Sequence, residues 1–210
     1  MPQFLALGEC MVEMAPLQNG QFNRGFAGDT FNTAWYARKL LPPAWQVSFG
    51  SCVGQDGVSE TMLDFMRSQA IDTAAIRQVP HRTVGLYMIA LDHGERSFSY
   101  WRSHSAARLL AHDRDWLMQI TQGVDFIYFS AITMAILDPQ GREALCAAIQ
   151  AARRAGAMVA FDTNVRPSLW ENHDIMRQGV MDGAGVSDLL LCSVEEEESL
   201  FGAGKPQDSV

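Results

Sequence analysis

Along the chain, short apolar runs bounded by turn residues alternate with longer stretches whose apolar positions recur every three or four residues. Residues 4–8 form a compact apolar run closed by Gly8, the pattern of a buried strand. Segments 12–14 and 21–26 flank Pro16 and the pair Asn19-Gly20, which punctuate as turns. From 32 to 41, Ala34, Ala37, Leu40 and Leu41 fall on one helical face, and Pro42-Pro43 ends the helix. Residues 47–53 are strand-like. The loop Gly54-Gln55-Asp56-Gly57 then leads into a helix reaching about residue 68, with Met62, Phe65 and Met66 turned inward.

The pattern changes after residue 82. Residues 83–91 are rich in β-formers, 92–95 supply a turn, and 96–102 alternate Phe98 and Tyr100 with polar residues. That predicts a hairpin with one face wetter than the other rather than a central parallel strand. From residue 113 helical and strand periods alternate: helix 115–122, strand 124–129, helix 139–155, strand 158–162, helix 175–181, strand 188–192 and helix 195–201. Such alternation predicts an α/β fold, a mostly parallel sheet flanked by helices. The β segments near 12–26 and 83–102 then form a small sheet acting as a lid over the strand ends, where open α/β sheets take ligands.

Composition narrows the function classes. The 210 residues are 48% hydrophobic and 19% charged, enough apolar material for one domain with a full core. A formal charge of −8 argues against nucleic acid or an anionic membrane as the main partner, and leaves room for a small anionic substrate held by a few arginines. Cys10, Cys52, Cys146 and Cys192 are far apart with no Cys-x-x-Cys pair, so reduced, mostly buried thiols are expected. The chain opens directly into a strand-like run and has no apolar run of membrane-spanning length, so the expectation is a cytoplasmic protein.

Three constellations carry chemistry. Gly28, Asp29 and Asn32 lie where a turn meets a helix, offering amide N–H groups, a carboxylate and a carboxamide at one helix N-terminus. Sugar hydroxyls need both donors and acceptors. The bland alternative is a helix cap by Asp29 or Thr30. Tyr87, Tyr100 and Arg102 lie on the hairpin arms; the last two are two residues apart and share a strand face. A phenol beside a guanidinium suits a carboxylate, although aromatic and cationic decoration of a β surface is common. Asp162-Thr163-Asn164-Val165-Arg166 leaves the end of a buried strand, where ligands sit, and could equally shape an ordinary turn.

The stretch 26–34 resembles the Gly-Gly-x-x-x-Asn-x-Ala signature of the ribokinase/PfkB sugar kinases, with Ala27 in place of the first Gly. Asp162-x-Asn164-x-Arg166-x-x-Leu169-Trp170 resembles the 2-keto-3-deoxygluconate kinase branch of that family. The resemblance extends over essentially the whole chain. It implies a ribokinase-like fold, with residues 1–210 an incomplete domain lacking the C-terminal part. It also implies transfer of the ATP γ-phosphoryl to a sugar acid, with ATP and Mg2+. Gly28, Asp29, Asn32, Tyr87, Tyr100, Arg102 and Arg166 would bind substrate; Asn164, Arg166 and Ser193 would face the nucleotide. Glu196 matches the Glu of the family's Asn-x-x-Glu, tied to magnesium, whereas Ser193 replaces its Asn. An exposed helix-start carboxylate is the equal alternative for Glu196. The Asp expected as catalytic base belongs to a Gly-Ala-Gly-Asp segment beyond residue 210, so no catalytic residue is assigned. The family also suggests a homodimer through the lid.

Two features are set aside. Gly202-Ala203-Gly204-Lys205 lacks phosphate-loop spacing and carries Lys where the family has Asp, and the five histidines show no ligand spacing. Alternative functions are a neutral-sugar kinase of fructokinase or ribokinase type, and a non-catalytic sugar-binding remnant. A nicotinamide-binding protein is disfavoured because no Gly-x-Gly-x-x-Gly follows the first strand.

Overall fold

The computed structural model of the chain describes residues 1–92 and 95–202, which fall into two compact units, 1–110 and 111 onward. The first unit contains two sheets. Strands β1 (Gln3–Leu7), β4 (Gln46–Val53) and β5 (Ile76–Gln78) run parallel, with Leu5 opposite Ser48 and Cys52 opposite Arg77. Helices α1 (Asp29–Leu40) and α2 (Gly57–Ser68) belong to this α/β part. Leu5, Leu7, Phe31, Phe49, Met62 and Met66 are all fully buried, and Phe31 meets Phe49 edge-on at 5.5 Å. Each such side chain stabilises the fold by roughly 1.5–3 kcal/mol. Asp56 starts α2 by accepting from the amides of Val58 and Ser59, both at 3.0 Å.

The second sheet of this unit has the order β3 (Phe22–Ala27), β2 (Met11–Pro16), β6 (Gly85–Asp92), β7 (Glu95–Trp101). β2 pairs antiparallel with β3 and parallel with β6, and β6 turns back onto β7 with Tyr87 opposite Tyr100. Met11, Tyr87 and Ile89 form its small apolar cluster, with Ala15 and Ala27 packed against it. The sequence pattern suggested a hairpin with one face wetter than the other. Instead β7 is an edge strand exposed along its whole length, and Phe98, Tyr100 and Trp101 are each about half exposed. Part of the 92–95 turn, with His93, lies outside the described residues.

In the second unit, β8 (Phe126–Ser130), β9 (Met158–Asp162) and β10 (Leu189–Leu191) run parallel, with Phe129 opposite Phe161 and Leu190 opposite Phe161 on the other side. They alternate with α3 (Arg114–Thr121), α4 (Ala131–Ile136), α5 (Pro139–Arg154), α6 (His173–Gly185) and α7 (Val194–Phe201). Every one of these helices begins on a capping side chain: Asp113, Ser130, Asp138, Asn172 and Ser193.

The structure adds to the sequence reading in three places. The apolar stretch after β8 is a separate buried helix, α4, started by the Ser130–Thr133 capping box. Helix α6 starts two residues before and runs four residues beyond the 175–181 read from the sequence. Gly179 and Gly183 are seats for aromatic rings: an added Cβ would lie 2.4 Å from Trp170 and 2.6 Å from Phe161. Finally, β10, read from the sequence as a strand over 188–192, is exposed along its length. Leu189, Leu190 and Leu191 are about half exposed, because β9 pairs with one edge and no described strand with the other. Cys192 beyond it is exposed too, so the thiol expected to be buried there is not; Cys10 and Cys52 are buried and Cys146 is half-buried. Among the described residues no helix is long and apolar enough to cross a membrane.

Candidate functional site

In the first unit the chain leaves β1 at Gly8 and immediately buries Glu9, which is only 2% exposed. The start of α1 lies directly on this segment. Gly28 is the N-cap and brings no side-chain cap; a Cβ there would sit 2.1 Å from the Glu9 carbonyl oxygen. Any other residue would force the backbones apart. Asp29 occupies the first helical turn rather than the cap position. Asn32 lies one turn in and is exposed; its amide donates to the Gly28 carbonyl at 2.8 Å. Thr30 is fully buried.

Residues of the four-stranded sheet and of the segment just past it meet the same point. Arg102, just past β7, is 9% exposed and ion-paired through Nη2 with Glu9 Oε2. Its Cζ lies 6.0 Å from the Tyr100 ring centroid, so the two share a face as their spacing implied. Gly85, opening β6, leaves room for this pair: a Cβ there would meet Glu9 Oε1 at 2.8 Å and Arg102 Cβ at 3.2 Å. Burial pushes the Glu9 carboxyl above the usual carboxylate range, against the opposing pull of Arg102. The Tyr87 ring lies 5.9 Å from that of Tyr100, and its hydroxyl donates to Glu13. Burial, and next the Glu13 carboxylate, push the Tyr87 phenol well above its ordinary value, so it stays a donor.

Glu9 was absent from the sequence candidates. The available signal was position alone: a carboxylate in the first residues past the C-terminal end of a buried strand.

In the second unit, the loop after β9 is built around two carboxylates. Asp162 accepts from the Tyr128 hydroxyl at 2.8 Å and from the Asn164 amide at 3.0 Å. Glu196, in the first turn of α7, accepts from the Thr163 hydroxyl at 2.6 Å and from the Val165 amide at 2.7 Å. Burial would raise the Glu196 carboxyl, but the bonds from Thr163, Val165 and Ser193 outweigh it and hold it below the ordinary value. Ser193 caps α7 through a bond from the Glu196 amide at 3.3 Å. Asn164 is half-buried; Arg166 is exposed and donates to the Val165 carbonyl at 2.8 Å. Trp170 of the same motif is structural, seated on Gly179 with the Arg142 guanidinium 5.3 Å from its ring centroid.

Magnesium bound with ATP takes one or two carboxylates and the phosphates. Both oxygens of Glu196 are already committed to the loop, and among the described residues no three His, Cys, Asp or Glu side chains gather. The residues present therefore do not make a metal centre on their own. A cleft of about 620 Å³ lies between α5 and α6, lined by Arg142, Cys146, Gly179 and Asp182 among others. None of the candidate residues lines it. Residues 203–205 of the dismissed glycine-rich string fall outside the described residues.

Comparison with known proteins follows the same lines. The chain is 36% identical over 200 residues to the 2-dehydro-3-deoxygluconokinase of Dickeya dadantii (strain 3937), covering 93% of this chain and 64% of that protein. A crystal structure of 2-dehydro-3-deoxygluconokinase from Thermotoga maritima superposes with a TM-score of 0.85 at 19% identity, over 98% of this chain and 64% of the other, a likeness of fold. Fructokinase from Xylella fastidiosa with bound ATP gives 0.80 at 26% identity, over 94% and 60%. The chain thus spans rather less than two thirds of the length of these three. The model of the pfkB family carbohydrate kinases matches residues 1–210, and the chain belongs to that family.

Proposed function

We propose that this chain is the sugar-binding part of a kinase that moves the γ-phosphoryl of ATP, with Mg2+, onto a primary hydroxyl of 2-keto-3-deoxygluconate or a similar sugar acid. The observation that carries the reading is that the α1 turn and the lid cation meet on one residue, Glu9. Gly28, Asp29 and Asn32 hold sugar hydroxyls. Tyr87, Tyr100, Arg102 and Arg166 hold the carboxylate end, since a guanidinium offers paired N–H donors to a carboxylate. Asn164, Arg166 and Ser193 face the phosphates. Phosphoryl transfer rests on positioning and charge stabilisation, which is work for such fixed donors. The similarity to the Dickeya kinase supports the acid substrate. The exposed aromatic edge of β7 supports pairing of two copies through the lid, and the reading includes cytoplasmic residence.

A second reading has its own support. Arg102 is already paired with Glu9 and almost buried, so its charge is largely neutralised, as a neutral sugar would require. Calorimetric titration of the chain with 2-keto-3-deoxygluconate and with fructose decides between them. Tighter binding of the acid supports the first reading; tighter binding of fructose supports the second and overturns the first.

A further inference from the structure

We propose that Glu9 is the positioning residue of the sugar-acid pocket, orienting the Arg102 guanidinium for the substrate carboxylate; the inference rests on the sugar-acid reading above. Glu9 and Arg102 are 2% and 9% exposed, and the contact between them joins Nη2 to Oε2. Two glycines make this arrangement possible. Gly28 admits the Glu9 backbone beneath α1, and Gly85 admits its carboxylate beneath the lid. A single residue therefore fixes both the hydroxyl-binding turn and the lid cation.

The pair is incompletely satisfied. Arg102 Nε is buried without a hydrogen-bond partner among the described residues, and Ser105 lies near enough to Glu9 to stabilise its charge. A buried polar network built only for stability rarely leaves a donor unused, because each orphaned group carries its full desolvation cost. An apolar pair of similar volume would serve the fold as well or better. The spare Nε–H is accounted for if the guanidinium is held by one edge so that its other donors meet an incoming acceptor. Arginine loses much rotamer freedom when fixed, and Glu9 imposes that loss before the ligand arrives.

The test is a double-mutant cycle on the chain, with Glu9→Gln, Arg102→Met and the pair together, each titrated with 2-keto-3-deoxygluconate and with fructose. Glu9→Gln is expected to weaken the acid by about tenfold or more, as misplacement of a binding group does, and to leave fructose unchanged. The double variant should bind the acid no more weakly than Arg102→Met alone, because Glu9 acts through Arg102. Additive losses, or equal losses for both sugars, overturn the proposal. If Arg102→Met lowers acid affinity and Glu9→Gln does not, only the role of Glu9 falls. If Arg102→Met leaves the acid preference intact, the sugar-acid reading falls and takes the proposal with it. Should a variant fold poorly, the Arg102 Nε–H resonance of the free wild-type chain gives a second readout. A sharp signal protected from water supports a held guanidinium, and a signal exchanging at the rate of free arginine overturns it.

Discussion

Gly28 lies against the carbonyl oxygen of Glu9 so closely that a methyl group at position 28 would stand 2.1 Å from it. Both partners in that contact are backbone, so no side chain can turn away to relieve it. Gly28 has φ near 180°, ordinary extended backbone, so proximity rather than conformational freedom dictates the glycine. Gly28→Ala is expected to cost about 1–3 kcal/mol, the usual range for overpacking, and to abolish sugar binding. Gly57→Ala is the control. That residue opens α2 with nothing within 4 Å of a Cβ, and the change should be neutral or stabilising by up to ~1 kcal/mol. Urea unfolding of the two variants checks the contrast.

Arg102→Ala leaves Glu9 buried without its counter-charge. The loss at neutral pH is expected to be about 3–5 kcal/mol, typical of breaking one side of a buried pair. Its pH dependence has a definite sign. Removing Arg102 raises the Glu9 carboxyl further above its unfolded value, which is about 4.3. Below that value Glu9 is protonated in both states and the charge penalty vanishes; it grows as pH rises toward the folded value. Melting temperatures of wild type and variant should therefore diverge as pH goes from about 4 to 7. A constant difference would show that lost packing, not charge, is responsible.

Glu196 behaves in the opposite sense. Its carboxyl is held below the ordinary value, so the stability it lends is present above about pH 4.3 and disappears as pH falls through the folded value. Glu196→Ala removes the acceptor for Thr163 and Val165 and should cost about 1–3 kcal/mol, the cost of buried donors left unmade. The effect should be local: faster hydrogen exchange at Val165 with little change at the centre of β8. Uniformly faster exchange would contradict it.

Trp170 and Gly179 give a prediction that opposes helix propensity. Alanine favours a helix over glycine by up to about 1 kcal/mol. Yet a Cβ at 179 would meet two ring atoms of Trp170 at 2.4 Å, and that ring is backed by Arg142. Overpacking should win, so Gly179→Ala is expected to lower stability by about 1–2 kcal/mol net. Gly185→Ala, with open space around it, should not, and thermal melts distinguish the two.

Much of the fold is legible in the sequence because local signals agree there. The alternation of 3.6-residue and two-residue periods located the strands β1, β4, β8 and β9. It also placed the β excursions that became the four-stranded sheet. What failed did so for tertiary reasons. Helix α6 reads as ending near residue 181 until Gly183 is seen to seat the ring of Phe161. Leu189–Leu191 reads as a strand, but apolar character does not report which neighbours a strand has. In the site, the motifs around Asp29 and Asp162 were visible because their residue types and spacings are unusual. Glu9 was not, since one acidic residue after a strand carries no pattern. Its role emerges only from the two distant glycines that make room for it.

The central claim is that the sugar sits where α1 begins, beneath the lid sheet. Backbone amide shifts of the labelled chain, recorded while 2-keto-3-deoxygluconate is added, test it most directly. The account predicts saturable shifts at Gly28, Asp29, Asn32, Tyr87 and Arg102. Shifts gathered instead around Cys146, Gly179 and Asp182 in the α5–α6 cleft, with the α1 turn silent, would contradict it.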